Sequence, residues 1–164
     1  MTQTLPKVAH EHHERLLGRI DEMPAIADLV LTASAEDVRR SVDALSSFLT
    51  GTLVPHVDAA ERTLYPELER MFQNRHSMSP MRREHAEVRR LVSDFANLTE
   101  QVDSGSITIR KKLALRRVMF QLYALLKIHL AEEEVYLRIV DHGVTSEVAD
   151  VLAAALDHPG FATV

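Results

Sequence analysis

Residues 115–133 read LRRVMFQLYALLKIHLAEE, with apolar side chains at Leu115, Met119, Leu122 and Leu126 and a histidine, His129, at the next step. Steps of three and four residues mark one face of an α-helix, and no glycine or proline interrupts the run. Glu133 lies four residues beyond His129, on the same face. The buried stripe of one long helix therefore ends in an imidazole and a carboxylate.

Three other stretches repeat the pattern. Val42, Leu45, Leu49 and Thr52 lead to His56, and Val88 and Val92 count back to His85. Leu16, Leu17 and Ile20 follow His13 by three, four and seven residues. A single histidine on an apolar face is most often a core residue with its hydrogen bonds met. Four together, one per helix, need many partners or a shared metal.

The spacing predicts four long helices. The first spans about 8–32. The second runs from about 35 to 72, with Ser34 as N-cap, Asp37 as its capping-box partner, and a kink at 51–55 where Pro55 presses on the carbonyl of Gly51. The third starts with Ser79 as cap and Pro80 in its first turn, and reaches about Val102. The fourth covers about 107–141, with His142 and Gly143 as its stop. A short amphipathic helix is expected at 146–156. Four long helices with short connections imply an all-α, up-down antiparallel four-helix bundle, one domain over 1–164 with its core in about 8–142. In that topology the starts of helices one and three lie beside the ends of two and four. His13 and His85 are each about five residues, ~8 Å, from a helix start. All four core histidines can thus share one half of the bundle.

Composition narrows the chemistry. The 164 residues include nine histidines, five glycines and six prolines, but no cysteine or tryptophan. Hydrophobic residues at 46% and charged residues at 26% are ordinary for a globular chain and exclude disordered, collagenous and disulfide-framed classes. Without cysteine there is no thiolate zinc, iron–sulfur or thiol-redox chemistry. A formal net charge of -5 argues against a nucleic-acid partner. No apolar run approaches the ~18 residues of a membrane span, and MTQTLPKVAH carries no secretory h-region. A cytoplasmic protein with no membrane partner, monomeric or weakly dimeric, is expected.

Imidazole nitrogen and carboxylate oxygen without sulfur suit iron, manganese or zinc. Ferritin-like di-iron bundles use Glu-x-x-His, and no histidine here has a carboxylate three residues before it. Within Glu132-Glu133-Glu134 one or two side chains are solvated, and Glu132, at plus three, is a second candidate to face inward. His10 shares the face of His13, and His12 competes with His13 as the inward residue; the following leucines favour His13. Tyr65, Tyr123 and Tyr136 either pack in the core or line a pocket and ligate metal. Arg82, Arg83, Arg89, Arg90, Arg116 and Arg117 read as solvated faces.

The stretches HEHHERLL (10–17), LVPHVDAAERTLYPEL (53–68), MRREHAEVRRLV (81–92) and KIHLAEEEVYL (127–137) resemble the hemerythrin-like (HHE cation-binding) family over about residues 10–142. That family's motif is a histidine, then HxxxE, a lone histidine, and a final HxxxE on four successive helices. His13, His56 and His85 match the first three histidines, and His129 with Glu133 matches the last pair. The resemblance implies a non-haem di-iron centre, oxo- or hydroxo-bridged, with zinc or manganese ranking behind iron. It also implies binding or sensing of dioxygen, nitric oxide or peroxide. One position departs from the motif: Ala60 stands four residues after His56 where glutamate is expected. Glu61, at plus five, is about 140° round a regular helix from His56 and reaches a metal only if the helix is locally widened. It is nevertheless the favoured sixth ligand, ahead of Asp58 or water. The metal-ligand set expected is thus His13, His56, Glu61, His85, His129 and Glu133. A di-iron enzyme consuming peroxide or oxidising iron, and a degenerate interaction bundle with one metal or none, are the competing functions.

Overall fold

The computed structural model describes residues 5–100 and 108–143, with side chains from 10 to 100 and 108 to 138. All regular structure among the described residues is helical. The chain runs through α1 (Leu5–Ile20), α2 (Met23–Thr32), α3 (Ala35–Phe48), α4 (Val54–Ala59), α5 (Tyr65–Met71), α6 (Ser79–Thr99) and α7 (Ile109–Gly143). Two π-helical segments, Leu49–Leu53 and Ala60–Leu64, join α3 to α4 and α4 to α5. The expected helix at 146–156 and the end of helix three at Val102 lie outside the described residues.

The first helix expected from the sequence is two helices. Pro24 lacks the N–H that would bond the carbonyl of Ile20, so α1 closes with Asp21 N–H on Leu17 O and α2 opens with Ile26 N–H on Glu22 O. The second is continuous from Ala35 to Met71, and its irregularity is wider than the single kink expected. The Val54 N–H bonds Leu49 O and the Tyr65 N–H bonds Ala60 O, each spanning five residues rather than four. Each of these residues immediately precedes a proline, Pro55 and Pro66. A proline ring clashes with the carbonyl four residues back, and a widened turn relieves that clash while keeping the helix running. The first π segment also shifts the seam. Leu53 is buried at the place expected for Thr52, which is only half-buried.

Capping follows the expectation at α3, where the Asp37 N–H donates to Ser34 Oγ at 3.2 Å and the hydroxyl donates to Asp37 Oδ2 at 2.6 Å. It differs at α6. Met78 is the N-cap, its carbonyl taking the Arg82 N–H at 3.0 Å, and Ser79 is already inside the helix. Met78 is fully buried, and that anchorage sets where α6 begins.

The α7 helix packs against α1, α2 and α6, and α3 packs against α2 and α6, so the contacts close a ring. Inside it are two apolar clusters. The larger gathers residues from α1, α2, α3, α6 and α7, including Leu16, Val42, Phe95 and Leu122. The smaller surrounds Tyr65, Leu68, Met81 and Leu137. Between the two, α1, α4, α6 and α7 contribute the buried polar side chains His12, His13, His56, His85, His129 and Glu133.

Two substitutions test the local physics and have opposite signs. Ser34→Ala removes an observed cap and is expected to lower stability by about 1 kcal/mol in denaturant unfolding. Gly51 sits in the first π segment, and a Cβ added there would meet nothing within 4 Å. Gly51→Ala is expected to raise stability by about 0.5 kcal/mol, since glycine spends more backbone entropy on ordering. A loss of stability in Gly51→Ala would show that the widened turn needs glycine.

Candidate metal centre

Four imidazoles present Nε2 inward, and each has its Nδ1 held from behind. His13, on α1, places Nε2 3.2 Å from Glu133 Oε2, with Nδ1 3.3 Å from Glu134 Oε2. His56, on α4, places Nε2 3.5 Å from the same Glu133 oxygen, with Nδ1 2.9 Å from His12 Nε2. His85, on α6, places Nε2 3.0 Å from His129 Nε2 and 3.1 Å from Tyr65 Oη, with Nδ1 3.0 Å from Glu61 Oε1. His129, on α7, has Nδ1 2.8 Å from Glu84 Oε2 and Nε2 4.0 Å from Glu133 Oε2. Hydrogen bonds to the far nitrogen fix tautomer and ring orientation, as around bound metals.

The donors fall into two groups that meet at Glu133. His13, His56 and Glu133 offer ligand atoms all within 4.8 Å of one another. His85, His129 and the Tyr65 hydroxyl form the other group. Two donors each ~2.1 Å from one ion stand about 3.0–3.4 Å apart. The closest separations in both groups, 3.2 Å for His13 to Glu133 and 3.0 Å for His85 to His129, lie in that range.

Electrostatics prepare the same chemistry. Burial drives His56 below its usual pKa despite contact with Glu133. Burial, then His129, lowers His85 to about 4. Burial, then His56, lowers His12 to about 3. Imidazoles must be neutral to bind a cation, so His56 and His85 are ready-made for one, and His12 is a neutral ring behind His56. Burial also pulls His13 down, but its contacts with Glu133 and Glu134 outweigh that and raise it. Burial pushes Glu133 up, yet the imidazoles of His13 and His56 hold it well below the usual carboxylate range. Glu133 is thus a buried anion, 1% exposed, and neither of its oxygens has a well-aligned hydrogen bond among the described residues. An under-served buried carboxylate costs several kcal/mol, and a cation bound among the surrounding imidazoles would answer that cost. The donor set of nitrogen and oxygen fits iron, manganese or zinc.

Five of the six residues expected as ligands, His13, His56, His85, His129 and Glu133, converge here. Glu61 stands elsewhere: at the outer edge of His85, 3.0 Å from the Arg89 guanidinium, and lowered in pKa because that guanidinium outweighs its partial burial. The π segment begins only at Ala60, so the turn from His56 to Glu61 is regular and leaves Glu61 rotated away. Asp58 also faces Arg89, at 2.7 Å, and Glu132 is exposed. Glu84, Glu134 and His12 hold the rings from behind, a role that the sequence pattern does not single out for any of them. A signal for Glu84 is present in the Glu84-His85 pair, whereas Glu134 is indistinguishable in sequence from its solvated neighbours. Arg82 and Arg89 are not simply solvated; they tie α6 to the helix carrying Tyr65, Arg82 through Glu69 at 2.9 Å. His10 is exposed and pairs with Glu134.

A family model described as the hemerythrin HHE cation-binding domain matches residues 4–137. No curated protein and no solved structure matches the chain. The matched span contains every helix that supplies the inward imidazoles, so the chain belongs to the hemerythrin HHE cation-binding family.

Proposed function

We propose that this protein is a hemerythrin-like, up-down four-helix metal-binding protein whose buried cluster holds a non-haem di-iron centre that binds or senses dioxygen, nitric oxide or peroxide. The observation that supports it is the pair of donor groups meeting at the buried Glu133 carboxylate. One ion would be held by His13 and His56, the other by His85 and His129, with Glu133 between them. When bound, the iron pair supplies an open position and the electrons for a small oxidant. Glu133 within the cluster, with Glu134 and Glu84 behind its rings, supplies negative charge that would offset part of that of bound cations.

The protein's own contribution is orientation and exclusion. Glu84, Glu61, Glu134 and His12 hold the four rings from behind, so the inward nitrogens keep their aim without metal. The apolar clusters above and below keep bulk water out. A groove of about 240 Å³ between α1 and α7, lined by His10, Leu17, Leu130 and Glu134 among others, reaches His13 and offers small molecules a way in. Among the described residues no helix is long and apolar enough to cross a membrane.

Protein expressed with iron is expected to carry more than one iron per chain by elemental analysis; less than one after desalting overturns the di-iron reading. His56→Ala and His129→Ala should each lower that content, one from each donor group. Iron loading should also raise the melting temperature, because an ion bound only by the folded state stabilises it by mass action.

Glu84→Gln and Glu61→Gln test the backing groups. Both variants are expected to retain full iron at saturation while affinity falls ~10–100-fold, as for lost outer partners of ligating histidines. A loss of stoichiometry in Glu61→Gln would identify Glu61 as a ligand instead.

A further inference from the structure

The helix running from α3 to α5 brings His56 to the centre but no carboxylate. Ala60 is fully buried and has only a methyl group to offer. Glu61 is turned outward and held by Arg89 at 3.0 Å. The oxygen on this helix that does face inward belongs to Tyr65, whose Oη is 3.1 Å from His85 Nε2.

We infer that Tyr65 Oη is a ligand of the metal centre in the His85–His129 group, filling the place left by Ala60. The inference rests on the di-iron reading above and adds a phenolate to its ligand set.

Backbone geometry accounts for the placement. Tyr65 is nine residues after His56, which on a regular helix points it about 180° away. The Ala60–Leu64 segment inserts one residue into the turn, the Tyr65 N–H reaching back to Ala60 O. Nine residues then rotate the chain as eight would, leaving Tyr65 about 80° from His56 and on the side of the centre. The ring is fixed there by a parallel stack on His85, centroids 5.2 Å apart at 17°. On its other flank the Arg82 guanidinium carbon lies 5.5 Å from the ring centroid. Burial and the neighbouring Glu133 carboxylate hold the phenol well above its usual pKa, so its proton leaves only in exchange for a metal cation.

Distances agree with shared ligation. Tyr65 Oη to His85 Nε2 at 3.1 Å and His85 Nε2 to His129 Nε2 at 3.0 Å are separations that donors on one ion adopt. A hard trivalent cation prefers such an oxygen to a third nitrogen. Ligation releases the phenol proton to solvent as the metal enters and moves no electrons. A structural alternative exists in the same distance: a buried tyrosine hydroxyl needs a hydrogen-bond partner, and His85 supplies one. The two roles separate once ferric iron is bound.

The experiment loads the full-length protein with ferric iron, measures iron per chain, and records visible absorption and resonance Raman spectra. A phenolate-to-iron charge-transfer band with tyrosinate ring modes enhanced on excitation into it is the expected result. Tyr65→Phe should remain folded by circular dichroism, lose the band, and bind less iron. Adding Ala60→Glu to Tyr65→Phe should return the iron without the band. An iron-loaded protein with no tyrosinate modes overturns the assignment while leaving the di-iron reading standing. Modes that survive Tyr65→Phe overturn it as well, because they belong to another tyrosine. Failure of the unsubstituted protein to bind iron sinks both readings at once, and elemental analysis detects that before any spectrum is taken.

Discussion

A carboxylate buried among imidazoles is the constraint around which this molecule is arranged. Glu133 is 1% exposed and stays ionised because His13 and His56 stand against it, and the remaining rings complete a polar layer across the interior. That layer separates the apolar core into two clusters. A bundle of this size gains most of its stability from continuous apolar burial, so a polar layer through the middle is a local cost set against the gain on either side. The larger cluster, with Phe95, Leu122 and Leu45 fully buried, supplies rigidity above the layer, and the smaller one around Leu68 and Met81 closes it below. The rods cannot slide against one another without breaking ring contacts that span α1, α4, α6 and α7.

Proline placement gives one rod an unusual role. Pro55 and Pro66 each follow a five-residue backbone turn, and the two widened turns bracket His56. The first moves the seam from Thr52 to Leu53 before the histidine arrives. The second moves Tyr65 after it. Between them the helix is regular over Val54–Ala59, which keeps Glu61 on the outer side with Arg89 and leaves Ala60 facing in. A glutamate at position 60 would carry its carboxylate into space that Tyr65 approaches from the next turn.

Much of the fold and most of the candidate centre are legible in the sequence, for a definite reason. Stripes of apolar residues at steps of three and four point directly at His13, His56, His85, His129 and Glu133, since a residue on the stripe must be inside. What is not legible lies where that period fails or where it carries no information. Pro24 sits within an apolar run that continues across it, so α1 and α2 read as one helix. The inserted residues of the π segments are invisible to a fixed period of 3.6, which places Thr52 on the seam and gives Tyr65 no preferred role. Glu61, Glu84, Glu134 and His12 hold ring nitrogens from the side, and that depends on imidazole rotation rather than on helix face. Glu134 differs from Glu132 only by two steps along one helix, yet one holds His13 and the other is solvated.

The layer is not symmetric, and the asymmetry gives its two sides different work. His13, His85 and His129 each have a carboxylate behind Nδ1, whereas His56 has the imidazole of His12, lowered to about 3 and therefore neutral. A carboxylate behind an imidazole raises its basicity, and a neutral ring does so far less. His56 is accordingly the one inward ring of the four without a carboxylate behind it, and it lies with His13 and Glu133. The α1–α7 groove reaches that same group through His13. The opposite group lies under the stacked Tyr65 ring, with Arg82 over it and the smaller apolar cluster beyond. Access and the neutral backing ring therefore coincide on the His13–His56 side, while the His85–His129 side is enclosed and backed by carboxylates. The groove thus opens on the His13–His56 side of the polar layer, and Tyr65, Arg82 and the smaller apolar cluster close the other side.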